Sequence, residues 1–251
     1  MRYDGIDRVS PTRRPEATPL LHQNWEHLLF VHWEVDPEKL RALIPGALEL
    51  DLFDGKAFVG LVPFTLSGVR PILTPPLPFL SSFHEVNVRT YVHHKGQDPG
   101  VWFFSLDASS GIAVAAARAA YKLPYFSAEI EFNVDQTTTP SSIRFHSSRK
   151  GADQTPAHCL AEYAADVTPP RAADPGTLDH FLIERYVLYA HSENQLYRAR
   201  VHHAAYPVQK ATVHKLEETT LWAAGIQHDE KPDALHYARE VKVEVFLLEK
   251  V

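Results

Sequence analysis

The sequence predicts a mainly β (α+β) chain, built on an antiparallel sheet system with few, short helices. Three observations carry this expectation. Strand-like runs rich in aromatic and β-branched residues recur along the chain, turn signals such as Asp-Gly and Asp-Pro-Gly separate them at regular intervals, and helical periodicity is confined to brief segments. With 251 residues and 45% hydrophobic content, the chain can bury the core of one large domain or two modest ones. No Gly/Ser linker or charge block divides it, so one domain over 1–251 is expected, with an N-terminal arm over 1–20.

Residues 25–35 are aromatic and β-branched and read as the first strand. Asp36 and Pro37 then supply an N-cap and a first-turn proline for a short helix over 37–44, which Pro45 and Gly46 stop. Strands follow at 48–53, 57–66, 84–93 and 101–106, with Asp54-Gly55 and Asp98-Pro99-Gly100 as turns. The Pro-rich stretch 71–78 reads as a long, stiff loop. Ser109, Ser110 and Gly111 open a helix to Ala120, whose alanines allow close packing on a sheet. Further strands are expected at 126–134, 142–148, 186–191, 196–203, 208–216 and 241–248, and helices at 177–183 and 217–225. No repeat of fixed period is present.

The strand near 83–92 carries the chemistry. Period-two alternation puts Glu85, Asn87, Arg89 and Tyr91 on one face and Val86, Val88, Thr90 and Val92 on the other. A polar stripe of this kind is either the wet side of a sheet or the lining of a barrel that holds a small molecule. Glu85 and Arg89, four apart on one face, are equally compatible with a surface ion pair of little energetic weight. Arg118, near the end of the Ala-rich helix, either complements the helix dipole or binds an anionic group. Lys122 lies at the same helix end. Tyr125 suits a barrel wall, provided its hydroxyl finds a partner. At 184–186, alternation sends Glu184 and Tyr186 one way and Arg185 the other.

Charge and composition narrow the partners. A net charge of −6 with scattered Lys and Arg offers no basic stripe for a phosphate backbone, so no nucleic acid is expected. No apolar run of about 18 residues is present, and the N-terminal segment lacks the apolar centre of a signal peptide, so no membrane partner is expected. The single cysteine, Cys159, excludes an internal disulfide and fits a reducing compartment, which gives a cytoplasmic expectation. Fifteen histidines invite a metal reading, with His22, His27 and His32 five apart and two adjacent pairs, His93-His94 and His202-His203. Strand neighbours point to opposite faces, however, and no Cys-x-x-Cys or His-Glu-x-x-His spacing accompanies them, so neither a metal nor another cofactor is expected. A Gly-x-Ser-x-Gly elbow and a phosphate loop are both lacking.

Four stretches together resemble the uncharacterised YqjF-like family, a branch of the acetoacetate decarboxylase-like superfamily. They are Asp36 to Pro45, Phe83 to Val92, Arg118 with Leu123-Pro124-Tyr125, and Phe181 to Tyr186 with His202-His203. The resemblance spans about 25–248 and implies a cone-shaped antiparallel β-barrel wrapped by a surrounding sheet, with an interior pocket. Decarboxylase members of the superfamily use a pocket lysine that forms a Schiff base with a β-keto acid, and a second lysine that lowers its pKa. Matched through Arg118 and Pro124, the nucleophilic lysine falls on Tyr125 and the second on Phe126, neither of which forms an imine. One family glutamate falls on Glu85 and is retained; the other falls near Val59, and the family's pocket arginine near Glu26. A shifted register would bring Lys122 toward the site instead.

Two functions follow as expectations. One is a barrel that binds a small apolar or anionic metabolite, with Arg89, Asn87, Tyr91, Arg118, Glu184, Arg185, Tyr186 and His203 as binding candidates. The other is a lyase or hydrolase-like enzyme acting on a small carbonyl or carboxylic acid. There Glu85 serves as general acid/base, Tyr125 donates to a developing oxyanion, and Lys122 is held in reserve as nucleophile. The expected partner is a small-molecule ligand. Superfamily relatives are oligomeric, so a homo-oligomer stays open, and the apolar 71–79 loop would either cover a pocket or meet a neighbouring subunit.

Overall fold

The computed structural model describes residues 5–75 and 81–251. In chain order the elements are β1 (Leu21–Val35), α1 (Pro37–Arg41), β2 (Glu49–Leu50), β3 (Ala57–Pro71), β4 (Phe83–His94), β5 (Gln97–Ala108), α2 (Gly111–Tyr121), β6 (Tyr125–Asp135), β7 (Ser142–Arg149) and β8 (His158–Ala165). They continue with α3 (Leu178–Ile183), β9 (Val187–Ser192), β10 (Gln195–His202), β11 (Val208–Glu218), α4 (Thr220–Ala223), β12 (Ala234–Val245) and β13 (Glu249–Lys250). The chain is mainly β, as the strand and turn signals predict. The loop expected over 71–79 falls largely outside the described residues.

Hydrogen-bonded neighbours run β13-β10-β9-β5-β6-β7-β8-β11-β12-β1-β3-β4-β2, and β4 also pairs with β5 and β10 with β12. These two extra pairings close two circuits through a common wall, β12-β1-β3-β4-β5. One circuit returns through β9 and β10, the other through β6, β7, β8 and β11. Pairing is antiparallel except at β5, which runs parallel to β6 and to β9.

Because the wall is shared, both of its faces are buried. Phe30, Phe58, Val62, Phe64, Phe83, Tyr91, Val241 and Val243 point into the core of the first circuit. Their strand neighbours Leu29, Val31, Val59, Leu61, Val86 and Val88 point into the second, against Phe145, Cys159 and Tyr163. Each such Leu, Val or Phe removed from water contributes about 1.5–3 kcal/mol before conformational entropy is counted. In β1 the alternation slips once. His27 has φ +54, and the register to β3 shifts between Glu26 and Val31, so Trp25 and Phe30 share the inner face although they stand five positions apart.

Local signals explain the helix starts. The Asp36 carboxylate accepts from the Glu38 amide at 2.9 Å, Ser110 from Ala113 at 3.3 Å and Thr177 from His180 at 3.3 Å. α1 stops at Arg41, and α4 covers only Thr220–Ala223 because β11 runs on to Glu218, so the helix expected over 217–225 is shorter. Asp98-Pro99-Gly100 is not a turn but part of β5. The hairpin instead turns at Lys95-Gly96, both at positive φ, as does Asp54-Gly55. Gly100 serves a different purpose: a Cβ there would sit 2.4 Å from the Val187 carbonyl, so β5 and β9 meet only because the side chain is missing. β8 has no counterpart in the sequence reading. Its alanines carry little strand preference, and its place is set by ladders to β7 and β11.

Candidate functional site

The polar stripe of β4 faces inward. Glu85 is 2% exposed, Asn87 4%, Arg89 8% and Tyr91 0%, on the same face as the Phe83 core. Glu85 and Arg89 do not pair with each other. Glu85 accepts from the Tyr125 hydroxyl at 2.9 Å, while Arg89 Nη2 donates to the Leu182 carbonyl at 3.2 Å.

Tyr125 begins β6, and its side chain packs on the first core, with Phe126 pointing the opposite way against Arg149. Burial pushes the Glu85 carboxyl from its ordinary 4.5 up to about 7, and the Asp107 charge adds to the push. Hydrogen bonds from Tyr125 and Asn87 oppose it without cancelling it. Burial and the Glu85 carboxylate together hold the Tyr125 phenol well above its usual range. The pair therefore carries a proton near neutral pH, on a carboxyl that is out of contact with solvent.

Arg89 sits where three strands lie abreast. His32 of β1, Gly60 of β3 and Arg89 of β4 are cross-strand partners, and a Cβ on Gly60 would stand 3.1 Å from the His32 ring and 3.5 Å from the Arg89 side chain. Glycine thus makes room for two large side chains on one face. The Tyr91 hydroxyl lies 2.7 Å from both His32 Nε2 and the Leu182 carbonyl; since the carbonyl only accepts, Tyr91 donates to it and accepts from His32 Nε2. Burial and the Arg89 charge hold His32 well below its usual pKa, so it is neutral. Among the described residues no carboxylate pairs with Arg89, and its Nε has no protein partner.

Opposite β4, the segment after β10 brings His203 and Tyr206 inward. The His203 ring stacks on Tyr186 at 4.4 Å with 20° between planes, and Tyr206 lies 4.4 Å away on a tilted plane. His203 Nδ1 is 2.8 Å from the Ala204 carbonyl, an acceptor only, so Nδ1 carries the proton and Nε2 presents its lone pair. Burial lowers the His203 pKa to about 4 and keeps it in this neutral form. Glu184 accepts from the Tyr186 hydroxyl and, at 2.9 Å, from the Tyr206 amide, which holds the Tyr186 ring and the Tyr206 main chain.

These contacts close into a ring. The Arg89 guanidinium carbon is 5.5 Å from the Phe30 ring, Phe30 is 5.3 Å from Tyr206, and Tyr206 touches His203. His203 is 5.8 Å from Trp25, Trp25 is 5.8 Å from Phe64, and Phe64 stands opposite Glu85 across β3 and β4. Glu85, Asn87 and Arg89 then complete the circuit along one strand face. Four polar atoms on it are buried without a partner among the described residues: Trp25 Nε1, Asn87 Oδ1, Arg89 Nε and His203 Nε2. Each such atom costs about 1–3 kcal/mol when left unsatisfied. An open groove of about 680 Å³ is lined by His22, Asn24, Arg70, Lys242 and His203, and of the ring residues His203 alone stands in its wall.

The remaining sequence candidates lie elsewhere. Arg185 is buried, donating to Asp51 at 2.5 Å and stacking over Phe181 and Tyr91 at 4.3 and 4.8 Å. Asp51 is shared with Arg8 of the N-terminal segment, whose Nε lies 3.1 Å away. Arg118 is exposed and donates to the Tyr125 carbonyl at 2.8 Å, so it holds the main chain of Tyr125 rather than reaching the ring. Lys122 is the left-handed C-cap of α2, with Nζ 5.4 Å from the Tyr197 ring centre. Trp25, Phe30, Phe64 and Tyr206 belong to the ring although no sequence signal marks them as site residues, and His32 beside it stands out in sequence only through the five-apart histidine pattern. Tyr206 lies in the irregular stretch between β10 and β11, where no periodicity marks a face. Among the described residues no group of three or more His, Cys, Asp or Glu is placed to hold a metal, and no helix is long and apolar enough to cross a membrane.

Comparisons with known proteins agree with this architecture. Bacillus subtilis (strain 168) has an uncharacterized protein, YqjF, that is 37% identical over 236 residues, covering 94% of this chain and 94% of that protein. Among solved structures, acetoacetate decarboxylase from Legionella pneumophila is similar over 94% of this chain and 88% of its own, with 13% identity and a TM-score of 0.64. The enduracididine biosynthesis enzyme MppR, complexed with pyruvate, matches over 94% of this chain and 91% of its own, with 12% identity and a TM-score of 0.62. An acetoacetate decarboxylase-like enzyme from Sphingomonas wittichii RW1 covers 94% of both chains at 13% identity and a TM-score of 0.61. At these identities the likeness is one of fold. The family model for DUF2071, described as an uncharacterized conserved protein, matches residues 22–242, and together with the YqjF relative this shows that the chain belongs to the DUF2071 family.

Proposed function

We propose that the interior of the first circuit binds a small organic acid non-covalently, with its carboxylate on Arg89. One observation carries the reading: Arg89 is a buried guanidinium with no carboxylate partner among the described residues. A buried charge without a partner costs several kcal/mol, and a bidentate carboxylate supplies the missing charge and hydrogen bonds together. The aromatic members of the ring offer apolar surface for the rest of the molecule. The similar enzyme MppR is complexed with pyruvate, itself a small carboxylate. No lysine stands on the ring, and Lys122 is turned toward Tyr197, so the reading involves no imine. The test is calorimetric and thermal-shift titration with pyruvate, acetoacetate, phenylacetate and benzoate. At least one acid is expected to bind, stabilising the fold by about 2.7 kcal/mol at a hundredfold excess over Kd. Arg89→Met is expected to weaken that binding at least about tenfold, a change of about 1.4 kcal/mol. Unchanged affinity in the variant, or no binding by any of the four acids or by mandelate, overturns the reading.

A second reading rests on Glu85, whose carboxyl holds its proton to about pH 7 beside Tyr125. A group poised there suits proton transfer to and from the carbon next to a carbonyl. Incubation of pyruvate in D₂O with the protein tests it. Methyl-proton exchange that is catalysed by the native chain and lost in Glu85→Gln supports an enzyme, whereas exchange at the uncatalysed rate leaves the binding reading alone.

A further inference from the structure

The ring does more than supply a cation. Of its four unpartnered atoms, Arg89 Nε and Trp25 Nε1 are donors, while Asn87 Oδ1 and His203 Nε2 are acceptors. A simple carboxylate answers only the donors. The two acceptors sit on side chains 4% and 2% exposed and suit a ligand that brings an O–H or N–H of its own. His203 is held for this role: its Nδ1 proton is committed to Ala204, its ring is stacked on Tyr186 and bounded by Tyr206, and a flip of the ring within its plane would give up the Nδ1 hydrogen bond. Arg89 reaches His203 through Phe30 and Tyr206, whose rings leave an apolar stretch between cation and acceptor.

We infer that the ligand is a hydroxy acid, whose carboxylate lies on Arg89 and whose hydroxyl donates to His203 Nε2, with Asn87 Oδ1 as the second acceptor on the ring. This rests on the carboxylate reading above and deepens it, since it separates hydroxy acids from oxo acids and from acids that carry no donor. A site built to receive a hydrogen bond rejects the analogue that lacks it far more strongly than an apolar pocket rejects a missing methylene.

Matched pairs test the inference on the full chain: mandelate against phenylacetate, and lactate against propionate, by calorimetry or saturation-transfer NMR. In at least one pair the hydroxy acid is expected to bind about tenfold or more tightly than its partner. His203→Phe keeps an aromatic ring between Tyr186 and Tyr206 but removes the acceptor, and is expected to reduce the preference to about twofold or less while both acids still bind. Equal affinity within both pairs overturns the hydroxy-acid inference and leaves the carboxylate site standing. Binding by none of these four acids overturns the hydroxy-acid inference, and the carboxylate reading falls with it when pyruvate, acetoacetate and benzoate fail to bind as well. A preference that survives in folded His203→Phe overturns the assignment to His203, and if that variant does not fold, the comparison within pairs on the native chain decides alone.

Discussion

Replacing Glu85 by glutamine keeps the shape of the side chain and removes its proton. Glu85 is buried, its pKa is raised from 4.5 to about 7, and the unfolded chain releases the same proton at the ordinary value. Below pH 4.5 both states hold the proton; above pH 7 neither does. Between these limits the folded state alone retains it, so the stability that protonation contributes is fully present below 4.5 and is lost as the pH rises through 7. Over that interval, from 4.5 to about 7, the loss at about 1.4 kcal/mol per pH unit comes to about 3 kcal/mol. The glutamine amide oxygen still accepts from Tyr125, and the side chain never ionises. Glu85→Gln is therefore expected to match the native chain near pH 4.5 and to be more stable by about 3 kcal/mol at pH 8. Urea unfolding followed by tryptophan fluorescence at several pH values reads the difference directly, since every other titrating group is common to both proteins. A difference that stays constant from pH 4.5 to 8 would refute the reasoning and show that Glu85 is ionised in the folded state throughout.

Three other predictions follow from the packing and from Lys122. Asp51→Asn leaves Arg185 buried without its anion, and a loss of about 3–5 kcal/mol in urea unfolding is expected; a loss under about 1 kcal/mol would contradict the buried pair. Gly100→Ala drives a Cβ against the Val187 carbonyl, backbone that has little freedom to move, and is expected to cost about 3 kcal/mol, where an unchanged midpoint would show that β5 and β9 are not in close approach. Acetoacetate with borohydride is expected to leave the intact mass unchanged, because Lys122 packs over Tyr197 at the end of α2; an adduct mapped to Lys122 would bring imine chemistry back.

Much of this was legible in residue order. The alternation from Phe83 to Val92 predicts β4 and its polar stripe, and the Asp36, Ser110 and Thr177 caps mark three helix starts within a residue or two. Alternation alone does not say which face is inside, and here the question has no single answer, because two circuits share β4 and bury both faces. The Glu184-Arg185-Tyr186 alternation held, yet the partners that give those side chains meaning, Tyr206 and Asp51, lie 22 and 134 residues away. β8 is alanine-rich and gains its strand identity from β7 and β11, an influence that no local window contains. The ring partners Trp25 and Phe30 escape period-two counting because the bulge at His27 shifts the face between them.

The central claim is that Arg89 anchors a small carboxylate inside the first circuit. The most direct test is a crystal structure of the protein soaked with mandelate. The expected result is density bounded by Phe30, Tyr206 and His203, with the carboxylate oxygens about 3 Å from the Arg89 guanidinium and the hydroxyl within hydrogen-bond reach of His203 Nε2. Mandelate bound elsewhere on the surface, with Arg89 still donating to the Leu182 carbonyl and no ligand on its guanidinium, would contradict it.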